Sequence, residues 1–70
     1  MKIGQSLKYW RENAGLTQME LSQKTGLQQS TISRWEKEIQ NPAIEYCITL
    51  SDFYGISLDD LVGREVKKNY

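Results

Sequence analysis

The sequence predicts an all-α domain of five helices. Apolar residues recur every three or four positions along most of its 70 residues, and no segment alternates convincingly between apolar and polar residues. Glycine, proline and hydroxyl residues stand where such helices would begin or end. We expect one small helical domain over residues 1–63, followed by a polar tail over residues 64–70.

The first helix is predicted from a single apolar face. Four residues at steps of four, three and four positions form that face: Ile3, Leu7, Trp10 and Ala14. The stretch from Asn13 to Gly15 predicts the end of the helix, because glycine readily takes the left-handed conformation found after helix C-termini.

The second and third helices are predicted as a close pair. Thr17 and Glu20 have the spacing of a capping box, in which each side chain accepts a hydrogen bond from the backbone amide of the other residue. The second helix is expected over residues 18–25, with Gly26 in the turn, and the third over about residues 28–37. A tight turn between two short helices is typical of a helix-turn-helix.

Two further helices complete the predicted domain. Pro42 is expected in the first turn of the fourth helix, where proline is well tolerated. The inward face of that helix is expected to contain Ile44, Cys47, Leu50, Ser51 and Tyr54. Gly55 predicts its end, and Ser57 is expected to cap a last short helix that runs through Leu61.

The composition excludes several classes of protein. With one cysteine and no histidine, the chain has no internal disulfide and lacks the usual zinc ligand sets. It offers no nucleophile–base pair and no phosphate loop, so we expect no enzymatic activity, no cofactor, no metal and no small-molecule ligand. No signal peptide and no apolar run of roughly 18 residues are present, which predicts a cytoplasmic protein without a membrane partner.

The charge balance is neutral, with nine basic and nine acidic residues. Residues 1–42 contain six basic and four acidic residues, whereas residues 43–70 contain three basic and five acidic residues. This mild asymmetry is equally compatible with an ordinary mixed surface.

The third predicted helix has two chemically different faces. At 100° per residue, Gln28, Ile32 and Trp35 point towards the core. The opposite side and its flanks contain Gln29, Ser30, Thr31, Ser33, Arg34 and Lys37. Glutamine can bond bidentately to adenine, arginine can do so to guanine, and serine or threonine can serve several bases. An ordinary solvated polar face is the alternative interpretation.

Residues 3 to about 62 resemble the lambda-repressor/Cro/Xre family of helix-turn-helix regulators. The motifs that carry this resemblance are Gly15-Leu-Thr-Gln18, Gly26-Leu27, Ile32-Ser-Arg-Trp-Glu36, Asn41-Pro42 and Ile56-Ser-Leu-Asp-Asp-Leu61. The resemblance implies a lambda-repressor-like domain of five helices with the helix-turn-helix at the second and third. It also implies a sequence-specific transcriptional regulator, most simply a repressor, that binds paired half-sites of double-stranded DNA as a homodimer.

The same resemblance assigns roles to individual residues. Base contacts are expected from Gln29, Ser30 and Arg34, with Gln28 and Ser33 as lesser candidates. Phosphate contacts are expected from Gln18, Thr31, Lys37, Gln40 and Asn41. For Gln18, the start of a helix adds unpaired amides and the positive end of a dipole; an exposed first-turn residue without a ligand is the alternative.

Arg11 and Glu36 are expected to form a partly buried ion pair, because relatives pair these two positions. Such a pair would hold the third helix at its angle against the first. The alternative is that Arg11 is free and contacts a phosphate. Removing one partner of a buried pair typically costs about 3–5 kcal/mol.

Four positions depart from the family pattern: Trp10, Gln28, Glu38 and Cys47. Glu38 stands where relatives commonly have glycine, so a negative charge is expected close to the DNA backbone. Gln28 replaces the usual serine or threonine cap of the recognition helix, which should weaken that cap. An alternative function, a protein-interaction module of the antitoxin or anti-repressor type, is left open by Glu38, the neutral charge and the apolar residues Ile56, Leu58, Leu61 and Val62. Relatives often dimerise through the fifth helix, which points to Leu58, Leu61 and Val62 as interface residues.

Overall fold

The computed structural model describes residues 2–63, and all regular structure in that range is α-helical. The five helices are α1 (Ile3–Asn13), α2 (Gln18–Thr25), α3 (Gln29–Glu36), α4 (Ile44–Tyr54) and α5 (Leu58–Val62). The predicted all-α fold of five helices is therefore confirmed. The predicted tail, residues 64–70, lies outside the described residues.

The first helix ends as its sequence predicts. Gly15 has a φ of 74°, in the left-handed region. This turn lets the Gly15 amide donate to the carbonyl of Glu12 at 2.9 Å, and the Leu16 amide donate to that of Arg11 at 3.1 Å. The expected inward position of Ala14 is wrong, because Ala14 follows the last helical residue and is exposed.

The second helix starts with the predicted capping box. The Glu20 amide donates to Thr17 Oγ1 at 3.1 Å, and the Thr17 amide donates to Glu20 Oε1 at 2.9 Å. These bonds satisfy amides that have no partner within the helix. The same bonds lower the pKa of the Glu20 carboxyl, because they stabilise its ionised form.

The fourth helix begins later than predicted. Pro42 and Ala43 precede it, with Ala43 extended at φ −67° and ψ 160°, and Ile44 is its first residue. Ile44 is 61% exposed rather than part of the inward face, because the helix meets the core only from Cys47 onward. Proline fixes its own φ but not the point at which helical hydrogen bonding begins.

One apolar core holds the helices together. Its buried residues are Leu7, Leu21, Ile32, Trp35, Cys47, Leu50 and Leu61. Burial raises the pKa of the Cys47 thiol, which therefore behaves as a small apolar side chain. Tyr54 packs beside this core, and burial raises the pKa of its hydroxyl to about 12.

The last helix is fixed to the first by two polar contacts as well as by the core. Ser6 Oγ donates to the carbonyl of Leu61 at 2.7 Å, and Trp10 Nε1 donates to that of Asp60 at 3.0 Å. Ser57 caps α5, as predicted, by accepting from the Asp60 amide at 3.0 Å. Helix α5 thus joins α1 to α4, while α3 packs against α1 and α2.

Candidate nucleic-acid interface

The inner side of α3 is anchored in the core. Ile32 is 2% exposed and Trp35 is 1% exposed, as their spacing predicts. The Trp35 ring also contacts the ring of Tyr46 on α4, with 5.3 Å between the ring centroids. These apolar contacts determine which side of α3 faces solvent.

The outer side of α3 presents hydrogen-bonding groups that have no partner within residues 2–63. Gln29, Ser30 and Arg34 are exposed, and their side chains make no hydrogen bond or ion pair in that range. Ser33 and Thr31 are half-buried and border this surface. We call the exposed trio Gln29, Ser30 and Arg34 the outer face of α3.

Gln28 lies in a different place from the one its helical phase predicts. It precedes the helix with φ −75° and ψ 135°, and it is exposed rather than directed at the core. The 100° rule does not apply to a residue outside the helix. Its side chain makes no capping hydrogen bond, in line with the expected weak cap, so the first amides of α3 remain available to another acceptor.

The turn between α2 and α3 is held by side chains of α2. The Ser22 hydroxyl donates to the carbonyl of Leu27, and the Leu27 amide donates to Thr25 Oγ1 at 3.3 Å. Gly26 adopts a φ of 78°, which only glycine adopts readily. Beside this turn, a pocket of about 260 Å³ is lined by Gly26, Leu27, Gln28, Thr31 and Tyr46. Thr31 therefore faces this pocket as well as the border of the outer face.

Arg11 and Glu36 form a two-pronged ion pair. Arg11 Nε donates to Glu36 Oε2 at 2.8 Å, and Arg11 Nη2 donates to Glu36 Oε1 at 2.9 Å. The side chains are 11% and 5% exposed, respectively. The hydrogen bonds with Glu36 raise the pKa of the Arg11 guanidinium. Because Arg11 Nη1 also donates to the carbonyl of Leu16 at 2.8 Å, all three nitrogens of this arginine point inward.

Gln18 joins the same ion pair. Its Nε2 donates to Glu36 Oε1 at 3.1 Å, so a residue at the start of α2 contacts the end of α3. The sequence predicted a phosphate role for Gln18 but not this contact. The bond uses one of the two amide hydrogens and leaves the other hydrogen and the oxygen of the side chain for a further partner.

Glu38 is directed at α1. It has a φ of 63°, and it is the only residue besides glycine with positive φ among residues 2–63. Its Oε1 accepts from the Gln5 amide at 3.2 Å. Its carboxylate therefore lies at the start of α1. The expectation that this charge is close to the DNA backbone stays a prediction. Sequence reasoning missed this contact, although a glycine in the first turn of α1, Gly4, was a signal of close approach.

The remaining candidates divide by exposure. Lys37, Gln40 and Asn41 are all exposed and follow α3 directly. In α5, Leu58 is 36% exposed and Val62 is half-buried, but Leu61 is 0% exposed. Leu61 was a wrong choice as an interface residue, because its side chain is enclosed by the core of its own chain.

Residues 2–63 contain neither a metal-binding cluster nor a membrane-spanning helix. No group of three or more cysteine or acidic side chains could hold a metal ion in that part of the chain. None of the helices there is both long and apolar enough to cross a membrane.

Comparisons with known proteins agree with this geometry. Residues 7–61 match the helix-turn-helix family model. The chain is 34% identical to the transcriptional regulator ImmR of Bacillus subtilis, over 99% of this chain and 56% of ImmR. It is 31% identical to the immunity repressor protein of Bacillus phage phi105, over 93% of this chain and 45% of that repressor. The chain thus spans about half the length of these two relatives.

A shorter relative is matched over most of its own length. An uncharacterised helix-turn-helix transcriptional regulator from Methanocaldococcus jannaschii is 33% identical, over 79% of this chain and 83% of that protein. The family match, these relatives and the helix-turn-helix at α2 and α3 agree with the sequence motifs. The chain belongs to the lambda-repressor/Cro/Xre family of helix-turn-helix transcriptional regulators.

Proposed function

We propose that this protein binds double-stranded DNA in a sequence-specific way, with α3 in the major groove, and acts as a repressor. One observation carries the proposal. The outer face of α3 consists of Gln29, Ser30 and Arg34, which are exposed and unpaired within residues 2–63, on a helix whose other side is locked in the core. Side chains of these three types can form hydrogen bonds with base edges.

The distribution of charge supports the same orientation. Of the four acidic residues in residues 2–42, three accept hydrogen bonds inside the domain: Glu20, Glu36 and Glu38. The exposed cations Arg34 and Lys37 lie on or directly after α3. Residues 43–63, in contrast, contain four acidic residues and no lysine or arginine. A polyanion would therefore approach the α3 side of the domain rather than the α4–α5 side.

The phosphate contacts would flank α3 on both sides. Gln18, at the start of α2, keeps one amide hydrogen for a phosphate oxygen while the other is held by Glu36. Thr31 borders the outer face of α3 and would reach a phosphate at its edge. Lys37, Gln40 and Asn41 would follow the backbone beyond the end of α3. These contacts position a protein on DNA without selecting a sequence.

Dimeric binding to paired half-sites is part of the proposal. One α3 of eight residues covers few base pairs, and two copies spaced by about one helical turn of DNA would combine their affinities. Leu58 and Val62, the accessible apolar residues of α5, are the proposed contact between the copies. Light scattering of the concentrated protein tests this: a monomer at high concentration would contradict the dimer.

Selection of bound duplexes from a random DNA pool tests the proposed function. We expect an enriched motif with two-fold symmetry, and an affinity for the enriched duplex that falls steeply with salt. Each neutralised phosphate contributes about −0.9 to the slope of log K against log salt concentration, so a slope of several units is expected. A scrambled duplex of equal length is the control. No enrichment, or an affinity that salt does not change, would contradict the proposal.

A protein-interaction module is the second candidate function. It is favoured by apolar side chains that lie exposed on and before α4: Ile39 at 69%, Ile44 at 61% and Ile48 at 45%. Exposed apolar side chains in one region can mark a site of protein association. A stable heteromer recovered from cells, together with no enriched duplex in the selection, would favour this candidate over DNA binding.

A further inference from the structure

The segment that follows α3 has an unusual conformation. Glu38 occupies the left-handed region, at φ 63°, where side chains with a Cβ are disfavoured and glycine is favoured. The turn ends α3 by two hydrogen bonds, from the Glu38 amide to the Trp35 carbonyl at 3.1 Å and from the Ile39 amide to the Arg34 carbonyl at 3.0 Å. A glycine could make the same turn, so the glutamate side chain must be explained by something else.

The start of α1 has no capping group from its own sequence. Lys2, its N-cap residue, makes no capping hydrogen bond, and its first turn contains no acidic residue. The carboxylate of Glu38 accepts from the Gln5 amide, 33 residues away in sequence, at 3.2 Å. A negative charge at this position also faces the positive end of the helix dipole. Glu38 is therefore the N-terminal cap of α1, supplied from the end of α3.

Gly4 makes this contact possible. A Cβ placed on Gly4 would lie 2.0 Å from the Trp35 carbonyl oxygen and 2.1 Å from Glu38 Oε1. Only a residue without a side chain lets α1 come this close to the last turn of α3. Gly4 in α1 and Glu38 after α3 thus together form this close contact between the two helices.

We propose that Glu38 is a positioning residue for DNA binding. By capping α1 it holds the segment 37–41, which contains Lys37, Gln40 and Asn41, at a fixed place beside α3. This inference deepens the proposed function, because those three residues are the proposed phosphate contacts beyond the recognition helix. The negative charge of Glu38 would by itself weaken DNA binding. Its hydrogen bond with α1 offsets this effect, because it holds Lys37, Gln40 and Asn41 in place for contact with phosphates.

Two substitutions that remove the same charge separate positioning from electrostatics. Glu38→Gln keeps an oxygen that can accept from the Gln5 amide, whereas Glu38→Gly removes the cap but relieves the left-handed backbone. If Glu38 positions the segment, Glu38→Gly should bind the selected duplex about 3- to 10-fold more weakly than Glu38→Gln, the range expected for loss of a cap. If its charge alone matters, both variants should bind more tightly than the wild type and equally so, and that result would overturn the proposal.

A measurement without DNA separates failure of this inference from failure of the proposed function. Amide hydrogen exchange of Gln5, Lys37, Glu38 and Ile39, whose amides are hydrogen-bonded in the structure, should be slow in the wild type and in Glu38→Gln when followed by NMR. It should be at least about 5-fold faster in Glu38→Gly if the cap orders the segment. Equal exchange in all three proteins would overturn the inference even if the wild type binds DNA. Slow exchange in a wild type that enriches no duplex would overturn the proposed function, and with it any role for Glu38 in DNA binding, while the cap itself would stand.

Discussion

The two ends of α3 are held by different means. At its N-terminal end, Gln28 provides no side-chain cap, and the turn depends on Gly26 and on hydrogen bonds from α2. At its C-terminal end, Glu36 is bonded to Arg11 of α1 and to Gln18 of α2. The N-terminal end leaves the side chains of Gln29 and Ser30 available. At the C-terminal end Glu36 is bonded to neighbouring helices, although Arg34 in the same turn is exposed.

This difference separates orientation from recognition along one helix of eight residues. The polar network at the C-terminal end sets the direction of the helix axis relative to α1 and α2. The N-terminal half, with Gln29 and Ser30, keeps groups that can bond to another molecule. Removing the buried contacts of Glu36 should therefore lower the stability of the domain strongly. Substitution at the uncapped N-terminal end should change stability less, and substitution of the outer face of α3 should change what the domain binds.

The largest effect is expected at the C-terminal end. Glu36→Ala leaves the Arg11 guanidinium buried without its partner, and it should lower the free energy of unfolding by about 3–5 kcal/mol. Urea unfolding followed by circular dichroism measures this change. Glu12→Ala is the matched control, since Glu12 is exposed and close to Arg11 in sequence, and it should change the free energy by less than about 0.5 kcal/mol. Equal effects of the two substitutions would contradict the account of this end.

The junction of α3 with α1 should be next in sensitivity. Gly4→Ala forces a Cβ against the Trp35 carbonyl oxygen, a backbone atom that cannot move cheaply, and should cost about 3 kcal/mol of stability. Gly15→Ala is the control, in which backbone strain replaces a steric clash. A Cβ on Gly15 would meet nothing within 4 Å, but the φ of this residue is 74°. Gly15→Ala should lower the free energy of unfolding by about 1 kcal/mol, through the strained backbone alone. Thermal unfolding of both variants checks the order, and a larger cost for Gly15→Ala would contradict it.

The N-terminal end of α3 should respond in the opposite direction. Gln28→Ser supplies a hydroxyl that can accept from an amide of the first turn, so it should raise the free energy of unfolding by about 0.5–1 kcal/mol. Gln28→Ala gives the baseline for a side chain that cannot cap. If the serine variant were no more stable than the alanine variant, the first amides of α3 would not need a side-chain cap, contrary to this prediction.

The smallest expected effect is on pH dependence at the start of α2. The pKa of Glu20 is lowered in the folded protein by its hydrogen bonds with Thr17, so the unfolded chain binds this proton more readily. The stabilisation is present at neutral pH, and it is lost as the pH falls through the range in which glutamate titrates. Glu20→Gln keeps the geometry of a capping box but has no proton to gain. Between pH 7 and pH 3, the free energy of unfolding should fall less steeply with falling pH for this variant than for the wild type. An identical pH dependence of the two proteins would contradict the role given to Glu20.

The parts of this fold that depend on neighbouring residues were predictable from sequence. The capping box of Thr17 and Glu20 is a local pattern, and the inward positions of Ile32 and Trp35 follow from helical spacing. The start of α4 was predicted wrongly from Pro42, because the proline ring restricts φ without fixing where a helix starts. Leu61 was a wrong choice because the resemblance to relatives that dimerise through the fifth helix does not distinguish an interface side chain from a core side chain on that helix.

The polar contacts between distant residues were harder to predict. The bond between Gln18 and Glu36 and that between Gln5 and Glu38 join residues far apart in sequence, and no spacing rule brings them together. The charge of Glu38 was expected close to the DNA backbone, but nothing in the sequence showed in which direction its side chain points. Only packing of α3 against α1 determines that direction.

We propose that the outer face of α3 reads bases while the residues around it hold phosphates. Arg34→Ala and Gln18→Ala test it most directly, by affinity measurements on the selected duplex and on single-base-pair variants of it. Arg34→Ala should cost about 1–3 kcal/mol of binding free energy and abolish the preference at one base pair, whereas Gln18→Ala should weaken binding to all duplexes alike. An Arg34→Ala protein that keeps every base preference of the wild type would contradict the account.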